Sequence, residues 1–262
     1  MNLPLKLIST DFDGTLLSGY DHPVIPERFT SLIARLQSRG IKWAINTGRD
    51  MSSLMETLAR SNVPVQPDFL VLVEREIYKH DGVRYAPVEQ WNTACTRDHE
   101  RLFERIRPEM PGLMSWVNDR FRATVYEDVW SPFCLIAGNN DDADLIHARL
   151  DELTRRHPEL AVVRNDVYAR FSHVDYNKGT ALAELSRMLG LKADEVLTAG
   201  DHLNDLPMMR TEFARCLVAP ANAIPQVKEV VRRQGGFVSE QVAGVGVAEG
   251  IEHFLSDGGS LG

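Results

Sequence analysis

Residues 5 to 17 read LKLISTDFDGTLL, and this stretch decides the fold. An apolar run, Leu5, Leu7 and Ile8, ends abruptly in two carboxylates, Asp11 and Asp13. The pattern is that of a buried strand delivering acids to its exposed end. In open α/β sheets ligands bind outside the carboxyl ends of the strands, so acids at such an end mark a candidate reaction centre. Gly14 permits the backbone to bend there, which lets Asp13 swing alongside Asp11 rather than alternate at period two. Two carboxylates so placed repel and need a cation, a proton or both. A hard divalent ion such as Mg2+ takes oxygens from one or two carboxylates and then from a substrate phosphate, leaving Asp11 able to attack phosphorus. The same string also suits a polar turn after a strand, and only the rest of the chain decides between the two.

Downstream, Phe29, Leu32, Ile33 and Leu36 fall at helical spacing within 27–39, and Gly40 stops the helix. Residues 41–46, IKWAIN, read as the next buried strand, ending in Thr47-Gly48-Arg49-Asp50 before a helix over 51–60. Thr47 offers a hydroxyl, Gly48 lets backbone approach an anion, and the helix start presents free amides, a set that suits a phosphoryl oxygen. Thr47 equally suits a helix cap. Arg49 fits either an anion contact or a salt bridge at the helix start.

After a third buried strand, FLVLV at 69–73, the texture changes. Asp81-Gly82 between alternating residues signals a hairpin over 77–85. A helix over 90–107, strands at 120–127 and 133–137, a helix over 141–157 and a hairpin over 162–172 follow in α+β order. This places an inserted α+β module at 80–173 within a core formed by 1–79 and 174–262. The doubly wound pattern resumes with a helix from Lys178 to Leu189 and a strand over 195–199 that ends in Gly200-Asp201-His202-Leu203-Asn204-Asp205. A strand over 213–218, a helix over 223–233, a short strand at 237–238, a last helix over 245–255 and a glycine-rich, frayed end complete the chain. The fold class expected is α/β, a mostly parallel doubly wound sheet with an inserted α+β domain.

The chain has 262 residues, 44% of them hydrophobic, enough for a sizeable core. Its 37 acidic against 29 basic residues give a formal net charge of -8, which argues against a general nucleic-acid or anionic-membrane surface. Cys95, Cys134 and Cys216 are widely spaced and odd in number, so neither a disulfide framework nor a zinc site is expected. No leader pattern or apolar run of membrane-spanning length is visible, and a reducing cytoplasm is the expected compartment.

Four strand ends thus carry Asp11 with Asp13, Thr47, Lys178, and Asp201 with Asn204 and Asp205. Phosphoryl transfer needs such a set: a nucleophile, a proton donor, a hydroxyl and an ammonium for the equatorial oxygens, and further acids for a metal. The four segments, DFDGTL (11–16), Thr47 in NTGR, Lys178 in NKGT and GDHLND (200–205), resemble the signature motifs of the haloacid dehalogenase superfamily. The resemblance covers the whole chain. The insertion between the second and third motifs resembles the larger cap of the branch with Cof-like sugar phosphatases and sucrose-phosphate phosphatases, and VEREIY at 73–78 is closer to the sucrose-phosphatase pattern.

This resemblance implies a Mg2+-dependent phosphatase acting on a small phosphomonoester of the sugar-phosphate kind through an aspartyl phosphate, with the cap choosing the leaving group. By it, Asp11 is the nucleophile and Asp13 the acid and base, with Thr47 and Lys178 completing the catalytic set. Thr47, Gly48, Arg49, Lys178 and Asn204 hold the substrate, and Asp11, Asp13, Asp201 and Asp205 hold the metal, Asp13 through its backbone carbonyl. His202 departs from the small residues expected at its position. A phosphosugar mutase and a non-catalytic phosphosugar sensor share the same core residues and remain the alternatives. The implied partner is a small phosphorylated substrate, with neither nucleic acid nor membrane.

Overall fold

The computed structural model describes residues 5–17, 24–61 and 63–257. The glycine-rich end expected to fray falls outside these. The elements are β1 (Leu7–Thr10), α1 (Glu27–Gln37), β2 (Lys42–Asn46), α2 (Met51–Arg60), β3 (Phe69–Leu72), β4 (Glu76–His80), β5 (Tyr85–Pro87), α3 (Glu89–Ile106), α4 (Met110–Asn118), β6 (Ala123–Tyr126), β7 (Cys134–Ala137) and α5 (Asn140–Arg156). They continue with β8 (Leu160–Asn165), β9 (Tyr168–His173), α6 (Lys178–Leu189), β10 (Val196–Ala199), β11 (Cys216–Ala219), α7 (Pro225–Arg233), β12 (Phe237–Val238) and α8 (Ala243–Asp257).

The chain divides into two compact units, one of Met1–Val88 with Lys178–Gly262 and one of Glu89–Asn177. The first is built on an eight-stranded sheet in the order β12-β11-β10-β1-β2-β3-β4-β5. Its first six strands run parallel, with β1 between β2 and β10, and β4 and β5 add an antiparallel edge. β1, β3, β10 and β11 are buried along their whole length, as unbroken apolar runs in a parallel sheet must be. Ile8, Trp43, Ile45, Leu70, Leu197 and Val218 form one core with Phe29, Leu32, Ile33 and Leu36 of α1, the stripe that the helical spacing predicts. Trp43 packs edge-on to Phe29, and its indole N–H donates to Thr10 Oγ1 at 3.2 Å, satisfying the one polar atom it buries.

The second unit is a four-stranded antiparallel sheet, β6-β7-β9-β8, with α3, α4 and α5 packed on one face. Leu135, Ala169 and Phe171 point from the sheet into a core with Leu102, Ile106, Ile146, Leu150 and Leu153 of the helices. α4 is an element that the sequence pattern did not anticipate. Its Pro111 sits in the first turn, where a missing N–H costs nothing, so proline there opens a helix rather than ending one.

The units divide at Val88 and at Asn177, whereas the sequence pattern placed the insertion at 80–173. β5 accounts for the first difference: it pairs with β4 as part of the parallel sheet's edge, so residues up to Pro87 belong to the core unit. All three cysteines are buried thiols. Among the described residues no helix is long and apolar enough to cross a membrane.

Candidate active site

β1, β2, β3 and β10 stand side by side and parallel, so the loops leaving their carboxyl ends emerge together. Asp11 follows β1 directly, its N–H still bonded to the Ala199 carbonyl, and is 5% exposed. Gly14 turns the chain with φ +75°, and a Cβ there would lie 2.4 Å from Asp201 Oδ2. Only glycine allows both the turn and the approach of the later acid. Thr15 then donates to Asp201 Oδ1 at 2.6 Å, and Asn222 Nδ2 donates to the Gly14 carbonyl at 2.7 Å, tying the first motif to the loops after β10 and β11.

The third motif supplies the cation. Lys178 opens α6 and is fully buried, and its ammonium donates to Asp11 Oδ1 and Asp205 Oδ1, each at 2.6 Å. Asn46, the last residue of β2, donates from Nδ2 to the Lys178 carbonyl at 2.9 Å and so fixes the helix start that carries the lysine. Asp205 is shared: its Oδ2 accepts from the backbone N–H groups of Asp201 and His202 at 2.8 and 3.0 Å, closing the loop after β10 while Oδ1 takes the lysine. The role of a loop cap and the role of a counter-charge therefore coincide in one carboxylate.

Asp11, Asp201 and Asp205 each offer an oxygen within 4.8 Å of the other two. Burial, then the charges of Asp205 and Asp201, lift the Asp11 carboxyl well above the usual range, and Lys178 offsets this only in part. Burial and Asp205 push Asp201 up to about 7, against the pull of the Thr15 hydroxyl. Burial opposes the charge on Lys178, but Asp11, Asp205 and Glu74 outweigh it and hold the ammonium far above its ordinary value. One buried ammonium among these acids leaves negative charge in excess, the condition that a divalent cation relieves. The donor set fits a hard oxygen-seeking ion, and the Asn204 Oδ1, buried without a hydrogen-bond partner among the described residues, is a further oxygen of the same kind.

Thr47 is 1% exposed, its N–H bonded to the Val71 carbonyl, and its Oγ1 accepts from the Arg49 N–H at 3.2 Å. The cap of α2 is Asp50, which accepts from Ser53 N at 2.9 Å, so Thr47 is not spent on capping that helix. Asp13 stands apart from the three clustered acids. Its carboxylate is clasped by Arg49, Nε to Oδ2 at 2.7 Å and Nη2 to Oδ1 at 2.6 Å. Arg49 also donates to Thr57 Oγ1 at 2.5 Å and lies 5.2 Å from the centre of the Phe12 ring. Of the two contacts open to Arg49, the structure shows the ion pair, with Asp13 as the partner.

Two residues at this site escaped the sequence reading. Asn46 is a polar residue ending an apolar strand, and Glu74 is 6% exposed, its carboxylate accepting from Asn204 Nδ2 at 2.9 Å. Glu74 follows the apolar run of β3 as Asp11 follows that of β1, so the rule that found the first acid also finds this one.

Residues 8–72 and 104–251 match the family of haloacid dehalogenase-like hydrolases. The chain belongs to that family. Within these hydrolases it is of the phosphatase type, in the Cof-like branch with the larger inserted cap, here the antiparallel four-stranded unit. It is similar to the putative phosphatase YxeH of Bacillus subtilis, 25% identical over 95% of this chain and 98% of the relative. It also resembles the 5-amino-6-(5-phospho-D-ribitylamino)uracil phosphatase YcsE of the same organism, 26% identical over 97% of each chain. In fold it resembles the sucrose-phosphatase of Synechocystis sp. PCC6803, solved with sucrose and phosphate, with a TM-score of 0.75 at 19% identity over 97% of this chain and 98% of the other.

Proposed function

We propose that the chain hydrolyses a small, polyol-like phosphomonoester through a phosphoryl group carried on Asp11, with Mg2+ as the cation. The observation that carries the reading is the convergence of Asp11, Asp201 and Asp205 within 4.8 Å, with Lys178 bridging Asp11 to Asp205. Two similar proteins support a polyol ester as substrate, one named for a phosphate on a ribityl chain and the fold neighbour for a sucrose phosphate, while others are named for HMP-PP.

In the first half-reaction an Asp11 carboxylate oxygen forms a bond to phosphorus while the ester P–O bond breaks. Asp13 donates a proton to the departing alkoxide, giving the free alcohol. In the second, the Asp13 carboxylate takes a proton from a water whose oxygen attacks the same phosphorus, and Asp11 leaves as carboxylate with release of inorganic phosphate. Thr47 Oγ1, the Gly48 backbone and the Lys178 ammonium hold the phosphoryl oxygens, and Arg49 orients Asp13. Asp11, Asp201, Asp205 and the Asp13 carbonyl would hold the divalent ion, which when bound supplies Lewis-acid neutralisation of charge developing on phosphorus.

The test is phosphate release from p-nitrophenyl phosphate and from a panel of sugar and polyol phosphates with Mg2+. Asp11→Asn, nearly isosteric, is expected to retain the fold and lose turnover; undiminished turnover contradicts the mechanism. Release of free phosphate without an added acceptor separates hydrolysis from a mutase.

A further inference from the structure

Val73 and Glu74 both adopt left-handed backbone, with φ of +45° and +67°. For a β-branched residue followed by a second non-glycine residue this is an uncommon conformation, and it persists only where the surroundings enforce it. Here they do. Val73 N donates to the Arg49 carbonyl at 3.0 Å and Glu74 N to the Thr47 carbonyl at 2.9 Å, lacing the turn after β3 to the second motif. Glycine at position 74 would adopt this backbone without strain, yet a glutamate stands there, and its side chain is turned inward rather than into solvent.

Inside, the carboxylate has a defined place. It lies against Gly48, where a Cβ would come within 3.2 Å of Oε1, and it accepts from Asn204 Nδ2 at 2.9 Å. A carboxylate only accepts, so this bond fixes which way the Asn204 amide faces: NH2 toward Glu74, and the carbonyl oxygen away from it. That Oδ1 is the buried acceptor without a partner among the described residues, on the residue next to Asp205. An acceptor so placed takes a proton donor and repels a phosphate oxygen, and the donor suited to a cluster of cation-seeking acids is a water of the cation's hydration shell.

We propose that Glu74 is a positioning residue of the phosphatase site, orienting Asn204 so that its amide oxygen accepts from a water bound to the divalent cation. The inference rests on the cation-dependent phosphatase reading above, and its test separates the two. Mn2+ binding is titrated by electron paramagnetic resonance, alongside thermal melting and turnover, for the wild type, Glu74→Gly, Glu74→Gln, Asn204→Ala and the double variant Glu74→Gly/Asn204→Ala.

Glu74→Gly relieves the backbone strain, so its melting temperature without metal is expected to equal or exceed that of the wild type. Its Mn2+ affinity is expected to fall about tenfold or more, the usual scale for loss of an outer support of a metal site. Glu74→Gln keeps an oxygen that accepts from Asn204 and is expected to bind Mn2+ within about threefold of the wild type. Asn204→Ala and the double variant are expected to match Glu74→Gly, since the two side chains act as one unit. Wild-type Mn2+ affinity in Glu74→Gly overturns the proposal. So does a loss in Glu74→Gln equal to that in Glu74→Gly, which would assign the effect to charge alone, and so do additive losses in the double variant. If wild-type protein binds no Mn2+ and turns over without it, the reading beneath fails instead.

Discussion

Lys178→Met removes the one ammonium from the acid cluster and leaves a side chain of similar length. The wild-type ammonium donates to Asp11 and Asp205 at 2.6 Å each, with lysine and Asp205 fully buried. Two unit charges about 4 Å apart attract by roughly 4 kcal/mol at an effective dielectric of about 20. Much of this is spent on desolvation, but deleting one partner of a buried pair leaves the others uncompensated and costs about 3–5 kcal/mol. At about 2–4 °C per kcal/mol for a chain of this size, the melting temperature at pH 8 without divalent ions should drop by about 6–20 °C. The deficit has a pH signature. Lys178 is the group that pulls Asp11 down, so without it the acids take up protons more readily, and the variant should recover toward the wild type at pH 5. Differential scanning calorimetry at the two pH values, with and without Mg2+, reads both effects, and Mg2+ should restore part of the loss at pH 8. A variant melting within about 2 °C of the wild type at pH 8 without metal would refute the view that this lysine neutralises the cluster.

Arg49→Ala opens a partly exposed pair, so the stability loss should be small, about 1 kcal/mol by urea unfolding, whereas kcat should fall on the order of tenfold because Asp13 loses its two-point hold. Arg49→Lys should not restore it, since an ammonium cannot make the two parallel bonds. For the wild type without divalent ions, Asp201 rises from 3.8 to about 7 on folding and Asp11 shifts the same way, so the folded state binds more protons than the unfolded across that window. Stability should fall as pH rises through it, and Mg2+ should raise the melting temperature more at pH 8 than at pH 5; an equal rise at both contradicts the assignment of the cluster.

The parallel sheet was legible because burial on both faces forces unbroken apolar runs, and each run here ends in a polar residue that the pairing of β1, β2, β3 and β10 brings to one edge. The helix over 178–189 follows from its opening residues and the Gly190 stop, and the amphipathic face of α1 from apolar spacing. α4 was hidden by Pro111 and Gly112, residues that break a helix interior but are harmless at its first turn. The edge strand β5 falls on the insertion side of the boundary expected from sequence because a hairpin reads alike whichever sheet it joins. At the site, residue identity and order single out Asp11, Lys178, Asp201 and Asp205, which gather, but not how side chains pair. Arg49 with Asp13, and Glu74 with Asn204, are contacts between loops far apart in the chain, and no local pattern sets them.

The proposed hydrolysis passes through a transient acyl phosphate on Asp11. Turnover quenched in acid and reduced with borohydride, then digested and read by mass spectrometry, tests this directly: an acyl phosphate at Asp11 is reduced to homoserine at that position. This conversion is expected at Asp11, dependent on both substrate and Mg2+. Active turnover with Asp11 unmodified throughout, or with the modification on another acid of the cluster, would contradict it.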